Sequence, residues 1–190
     1  PFSQQARDAF SGVLAIGNVS NFSVNEQVSA ILDSDVTISN IAANSYLLVS
    51  LNSYEGTFDQ FGFFSLPTGS AGRSTNDLYV SGSSIFRYVD GSGSDVQVAT
   101  FTGGSGADLK ITFTADADDT IATEIAQAIE YEYTGDNPSG SRTLSLAQYD
   151  SNDQLIDAAV TATFDVVTVN DAPTLTAGSI SATEDGLESG

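Results

Sequence analysis

Acidic side chains outnumber basic ones 25 to 5 in this chain of 190 residues, and they are bunched rather than spread. They gather at the ends of apolar runs: Asp33 with Asp35, Asp90 with Asp95, Asp116 with Asp118 and Asp119, Asp150 with Asn152 and Asp153, Asn170 with Asp171, and Glu184 with Asp185. A formal charge of -20 opposes compaction through self-repulsion, so a folded form must hold its acids at loops and admit counter-ions. Bunched hard oxygen donors are the ligand type that calcium takes.

Composition narrows the classes. At 41% hydrophobic residues, with 11 Phe and 7 Tyr, the chain can build a core, and its apolar residues fall in alternating runs, which argues against an acidic disordered tail. Phosphate neutralisation needs a basic surface, and Arg7, Arg73, Arg87, Lys110 and Arg142 are the whole supply, so no nucleic-acid partner is expected. The chain has no Cys and no His, which removes disulfides, thiolate chemistry and the usual zinc, copper and haem ligands. Any metal must be held by oxygen. No apolar run approaches the length of a membrane helix and no charged-then-apolar leader is present, so membrane insertion is not expected and the chain reads as part of a longer protein. An acidic, lysine-poor, cysteine-free chain suits a bacterial surface, where weak extracellular calcium sites fill.

Residues 1–21 read as a lead-in with a short helix, with Ser3 as its cap and Ala6, Phe10 and Val13 at helical spacing. From Phe22 onward the pattern turns to β. Segments 36–38, 46–51, 58–64, 78–80, 84–89, 96–101 and 109–114 are short, rich in β-branched and aromatic residues, and separated by Gly, Ser, Asn and Asp. One helix is expected in the middle, capped by Asp118 or Asp119, with Ile121, Ile125, Ala128 and Ile129 recurring at steps of three and four. Strands through Tyr131 and Tyr133, over 142–149 and over 155–169 follow, the last two joined by a polar turn at Asp150 to Asp153. The fold class expected is all-β: an antiparallel sandwich over 22–171 with one short helix and an elaborated middle segment. Pro173 cannot donate to a ladder, and residues 172–190 read as a linker entering a further module.

A family likeness is carried by the stretch from Ala107 to Thr174, through A-D-L-K-I-T-F-T-A-D-A, Y-E-Y-T-G-D-N-P-S-G-S-R-T-L-S-L, Y-D-S-N-D and V-V-T-V-N-D-A-P-T. It resembles the C-terminal half of the cadherin-like repeats of giant calcium-dependent RTX adhesins of Gram-negative bacteria. The segment F-S-V-N-E-Q-V-S-A-I-L-D-S-D-V-T-I-S, from Phe22 to Ser39, resembles the opening of the same repeat. Together these cover a little under half of the chain. Asn40-Ile41-Ala42-Ala43-Asn44 departs from the acidic pair usual at that point, and the Phe-, Tyr-, Gly- and Ser-rich segment 52–105 has no counterpart in a plain spacer. Among such adhesins, an enlarged calcium-dependent module of about this size is similar to a peptide-binding domain that holds the C-terminal end of a cell-surface protein. The resemblance therefore implies an extracellular, monomeric module binding several calcium ions, a host or partner-cell peptide, and neighbouring adhesin repeats. A calcium-stiffened extender repeat without a ligand is the alternative, and a carbohydrate-binding module is the third.

Candidate metal ligands are Asp33, Asp35, Asp90, Asp95, Asp116, Asp118, Asp119, Asp150, Asn152, Asp153, Asn170 and Asp171, with the last pair placed to stiffen a joint. The competing reading is that they are solvated turns and caps, which Asp and Asn favour. No EF-hand loop or glycine-rich nonapeptide fixes a coordination set. For a peptide carboxylate the chain must offer a cation, backbone N–H groups or an open calcium, and the middle segment supplies Arg73, Arg87 and Tyr88 with Asp90 and Asp95. Against this, the arginines could pair with neighbouring acids and Tyr88 could pack in a sheet. Phe58, Phe61, Phe63 and Phe64 are expected in the core, with Phe64 pointing to the face opposite Phe61 and Phe63. Enzyme chemistry is not expected: a serine nucleophile has no His, Lys110 is the single lysine, and a chance pair of acids is easy to find in such a chain.

Overall fold

A computed structural model describes residues 23–89 and 95–169. The strands in chain order are β1 (Ser23–Asn25), β2 (Ala30–Ile31), β3 (Tyr46–Leu51), β4 (Asp59–Gly62), β5 (Leu78–Ser81), β6 (Ser84–Arg87), β7 (Val96–Gly103), β8 (Leu109–Phe113), β9 (Glu130–Tyr133), β10 (Ser141–Tyr149) and β11 (Val160–Val167). Helix α1 (Asp119–Gln127) lies between β8 and β9. The strands form an eight-stranded sheet in the order β1-β11-β10-β3-β8-β7-β6-β5 and a three-stranded sheet β2-β9-β4. The fold is all-β and sandwich-like, as the alternation predicts. The expected lead-in helix and the linker from residue 172 lie outside the described residues.

The sheets face one another through aromatic rings. Tyr131 of β9 meets Phe164 of β11 across the layers at 4.9 Å between centroids, and its own cross-strand neighbour Phe61 of β4 at 5.7 Å. Strand β8 shows the alternation that drives this layer: Leu109, Ile111 and Phe113 are buried, while Lys110 and Thr112 between them are partly exposed. Loop 103–106 ties the small sheet to the large one. The Phe61 N–H donates to Gly104 O at 2.6 Å, and the Gly106 N–H to Asp59 O at 2.9 Å. Gly104 has φ +92°, and a Cβ there would stand 2.5 Å from Phe61 O, so only glycine permits this approach.

Three details differ from the sequence reading. The large sheet is mixed, because β1 runs parallel to β11 with Val24 opposite Val166. The chain after β1 crosses to the small sheet, where the Gln27 N–H donates to Tyr133 O at 2.6 Å. Segment 36–38, expected as a strand, has buried Val36 and Ile38 but belongs to no named strand. Its backbone is satisfied by the helix: the Ile38 N–H donates to Thr123 Oγ1 at 3.0 Å, and the Gln127 amide donates to Val36 O at 3.0 Å. The last strand begins at Val160 rather than 155, after an isolated bridge between Tyr149 and Leu155.

Helix α1 forms where the isoleucine spacing predicts. Asp118 Oδ1 accepts the Ile121 N–H at 2.8 Å as its N-cap, and Ile121, Ala122, Ile125 and Ala126 make the buried face. Asp119 Oδ1 accepts the Ile41 N–H at 2.9 Å, tying the atypical 40–44 segment to the first turn.

Candidate functional site

The elaborated middle divides between the layers: β4 joins the small sheet, and β5 to β7 extend the large one. Strands β5 and β6 form a hairpin at its edge, turning through Gly82 at φ +60°, and β7 returns beside them. The segment 67–69 covers part of the free edge of β5: Val80 donates to Pro67 O and accepts from the Gly69 N–H, both at 2.9 Å. Arg87 closes β6, opposite Leu78 on one side and Val96 on the other. Strand alternation puts it on the same face as fully buried Ile85.

This position makes Arg87 unusual. Its Nε is buried with no hydrogen-bond partner, and both ion pairs among the described residues belong to Arg142 instead. Arg73 forms no ion pair among them either, and its Nε donates to Ala71 O at 3.2 Å. Tyr88 is half-buried and braced by backbone, donating to Asp77 O and accepting from the Asn76 N–H at 2.9 Å each. Asp95 ties β5 to the end of β6: its Oδ2 accepts from Tyr79 Oη at 2.6 Å and its Oδ1 from the Val89 N–H at 3.2 Å. Burial and that carboxylate together push the Tyr79 phenol up to about 12. Arg87, Tyr88 and Asp95 therefore converge at one end of the sheet, with Arg73 on the adjoining loop. Asp90 lies outside the described residues.

The other sequence-derived metal candidates are dispersed. Asp33 is buried and its Oδ1 accepts the Asp35 N–H at 3.0 Å. Asp118 and Asp119 serve the helix start, while Asp116 is exposed with its N–H on Thr114 Oγ1. Asp150 Oδ1 accepts the N–H groups of Asn152 and Gln154 at 2.8 and 2.9 Å, which hold its carboxyl below the ordinary range. Asp153 accepts the Tyr46 hydroxyl at 3.0 Å. Among the described residues no group of three or more acids is gathered as a metal centre. Asn170 and Asp171 lie outside them.

Sequence reasoning missed the carboxylates that the fold buries. Glu26 is 3% exposed and takes the Asn137 N–H on one oxygen at 3.1 Å and the Val169 N–H on the other at 2.8 Å. Asp136 stands beside it, held by the Gln27 amide at 2.8 Å. Asp59 is wholly buried between the sheets, accepting from Arg142 Nε at 3.0 Å, Tyr131 Oη at 2.5 Å and the Glu55 N–H at 2.5 Å. Glu130 is 2% exposed. Their only sequence signal is an acid within or beside an alternating run, which looks the same as a solvated one.

Comparison with protein-family models, with curated proteins and with solved structures finds no match for this chain.

Proposed function

We propose that this chain is a calcium-dependent adhesin module, displayed on the surface of a Gram-negative bacterium, that binds the C-terminal end of a cell-surface protein at the β5–β6 end of its large sheet. The observation that carries this reading is Arg87: in a chain of net charge -20, its guanidinium has no acidic partner among the described residues and its Nε is buried without a hydrogen bond. A buried donor left unpaired costs free energy until something accepts from it, and a carboxylate is the acceptor a guanidinium fits best. Tyr88 follows it in the chain and Arg73 stands on the adjoining loop.

Calcium enters through the acids that the fold does not neutralise. Glu26 and Asp136 adjoin where β1 and β11 end, and Asn170-Asp171 follow Val169 directly in the chain. All the donors there are hard oxygens, the chemistry calcium requires, and an ion held between them would supply charge and rigidity at the joint to a neighbouring module. That corner is also what favours the second reading, an extender repeat that binds calcium and no peptide.

Short peptides with free and with amidated C-termini separate the two. Binding of the free form alone, weakened about thirtyfold or more by Arg87→Gln, is expected, since truncating one side of a desolvated charge pair costs about 2 kcal/mol or more. Equal binding of both forms, or none, would leave the extender reading standing.

A further inference from the structure

The outer face of the small sheet holds a second recognition feature, built from residues the peptide reading does not use. Between α1, β2 and the segment after β4 lies a groove of about 260 Å³, walled by Ile31, Leu66 and Ala128, with Glu124 and Ser65 at its sides. Glu130 lines it too. This residue is only 2% exposed, and its Oε1 accepts the Ser65 N–H at 2.6 Å.

A carboxylate so enclosed normally stands beside a cation. Here none of the basic side chains among the described residues supplies one: Arg142 is committed to Asp59 and Glu55, Lys110 lies over Tyr46, and Arg73 and Arg87 belong to the far strands of the other sheet and its loop. Gln127 also lines the groove, its amide N–H held by Val36 O at 3.0 Å, and the site is partly open, for Ile31 is 49% exposed. Beside it, Phe64 is 45% exposed and lies over Gly62, the cross-strand partner of Glu130, where a Cβ would stand 2.8 Å from the ring. Apolar walls with one enclosed carboxylate and a second at the rim fall short of the six to eight oxygens calcium takes. They fit an aliphatic stem ending in a positive head, with an aromatic ring nearby to favour it.

We propose that this groove receives a lysine side chain of a partner protein, its methylene stem against Ile31, Leu66 and Ala128 and its ammonium on Glu130, with Glu124 at the rim adding attraction. The site is independent of Arg87, so the two can fail separately.

The test uses three blocked tripeptides that differ only in a central lysine, acetyl-lysine or norleucine, followed through the methyl resonances of Ile31, Leu66 and Ala128. Saturable binding of the lysine peptide alone is expected, at least tenfold weaker in Glu130→Gln and severalfold weaker in Glu124→Gln, and unchanged in Arg87→Gln. The amide oxygen introduced by Glu130→Gln can still accept the Ser65 N–H, so that variant is expected to fold; should it not, Glu124→Gln and the norleucine comparison decide. Equal binding of norleucine, absence of saturable binding, or displacement of the lysine peptide by calcium with shifts at the same methyls would each overturn the assignment.

Discussion

Arg142 holds the two layers together at the level of a single side chain. It is 2% exposed, its Nε bonds Asp59, its Nη2 stands 3.2 Å from Glu55 in an ion pair without hydrogen-bond alignment, and its Nη1 donates to the carbonyls of Ser139 and Gly140. Removing one partner of a buried pair strands the other, so Arg142→Met should lose about 3 to 5 kcal/mol in urea unfolding. The double variant Arg142→Met with Asp59→Leu should recover most of that, because both charges then leave together. Tyr133 makes the same polar layer sensitive to alkali. Burial first, and then its hydrogen bond to Glu55, push its phenol up to about 12 from an ordinary 10. The folded state favours the neutral phenol, as it also does at Tyr79, whose phenol is likewise pushed to about 12. That stability is fully present below pH 10 and is lost as pH rises toward 12. Tyrosinate absorbance and circular dichroism should therefore change together in that window, and ionisation of every tyrosine with intact structure would contradict the burial.

The elements divide between local pattern and long-range satisfaction. Strand β3 coincides with the expected 46–51, and α1 starts at Asp118, one of the two caps expected, because alternation and capping are local signals. Asp118→Ala should cost about 1 kcal/mol through the lost cap. Segment 36–38 has the same β-branched look, yet it runs along α1 because Thr123 and Gln127 reach its backbone groups across more than eighty residues of sequence. Nothing in either segment alone announces that pairing. The 103–106 loop is similar: its glycines look like a flexible linker in sequence, and only the approach of Phe61 O shows why Gly104 has no side chain. Gly104→Ala should destabilise by more than about 1 kcal/mol, from positive φ and the close contact together, with chemical denaturation as the measurement. Among the phenylalanines, Phe61 and Phe63 are in the core as expected, whereas Phe58 and Phe64 are about half exposed. Phe64 leaves the core by lying over Gly62, a consequence of its pointing away from the face that Phe61 occupies.

For the whole molecule the governing quantity is charge. Among the described residues the acids are mostly engaged as caps, turn acceptors and buried acceptors, which lowers local cost without removing the formal -20. Calcium should therefore raise the melting temperature beyond what sodium chloride of equal ionic strength achieves, and EDTA should reverse the gain. Equal effects of the two salts would reduce the metal to a screening ion and remove it from the proposed function. Sequence by itself determined the β class, the single central helix, most strand positions and the exclusion of thiolate and histidine chemistry, because side-chain period and donor type are properties of residues and their near neighbours. Tertiary structure alone decided that β1 lies parallel to β11, that Glu26, Asp59 and Glu130 are buried among so many similar acids, and that Arg87 has no acidic partner among the described residues. Each of those depends on which distant backbone N–H or side chain arrives beside the group, and that is set by chain crossings between layers rather than by spacing along the chain.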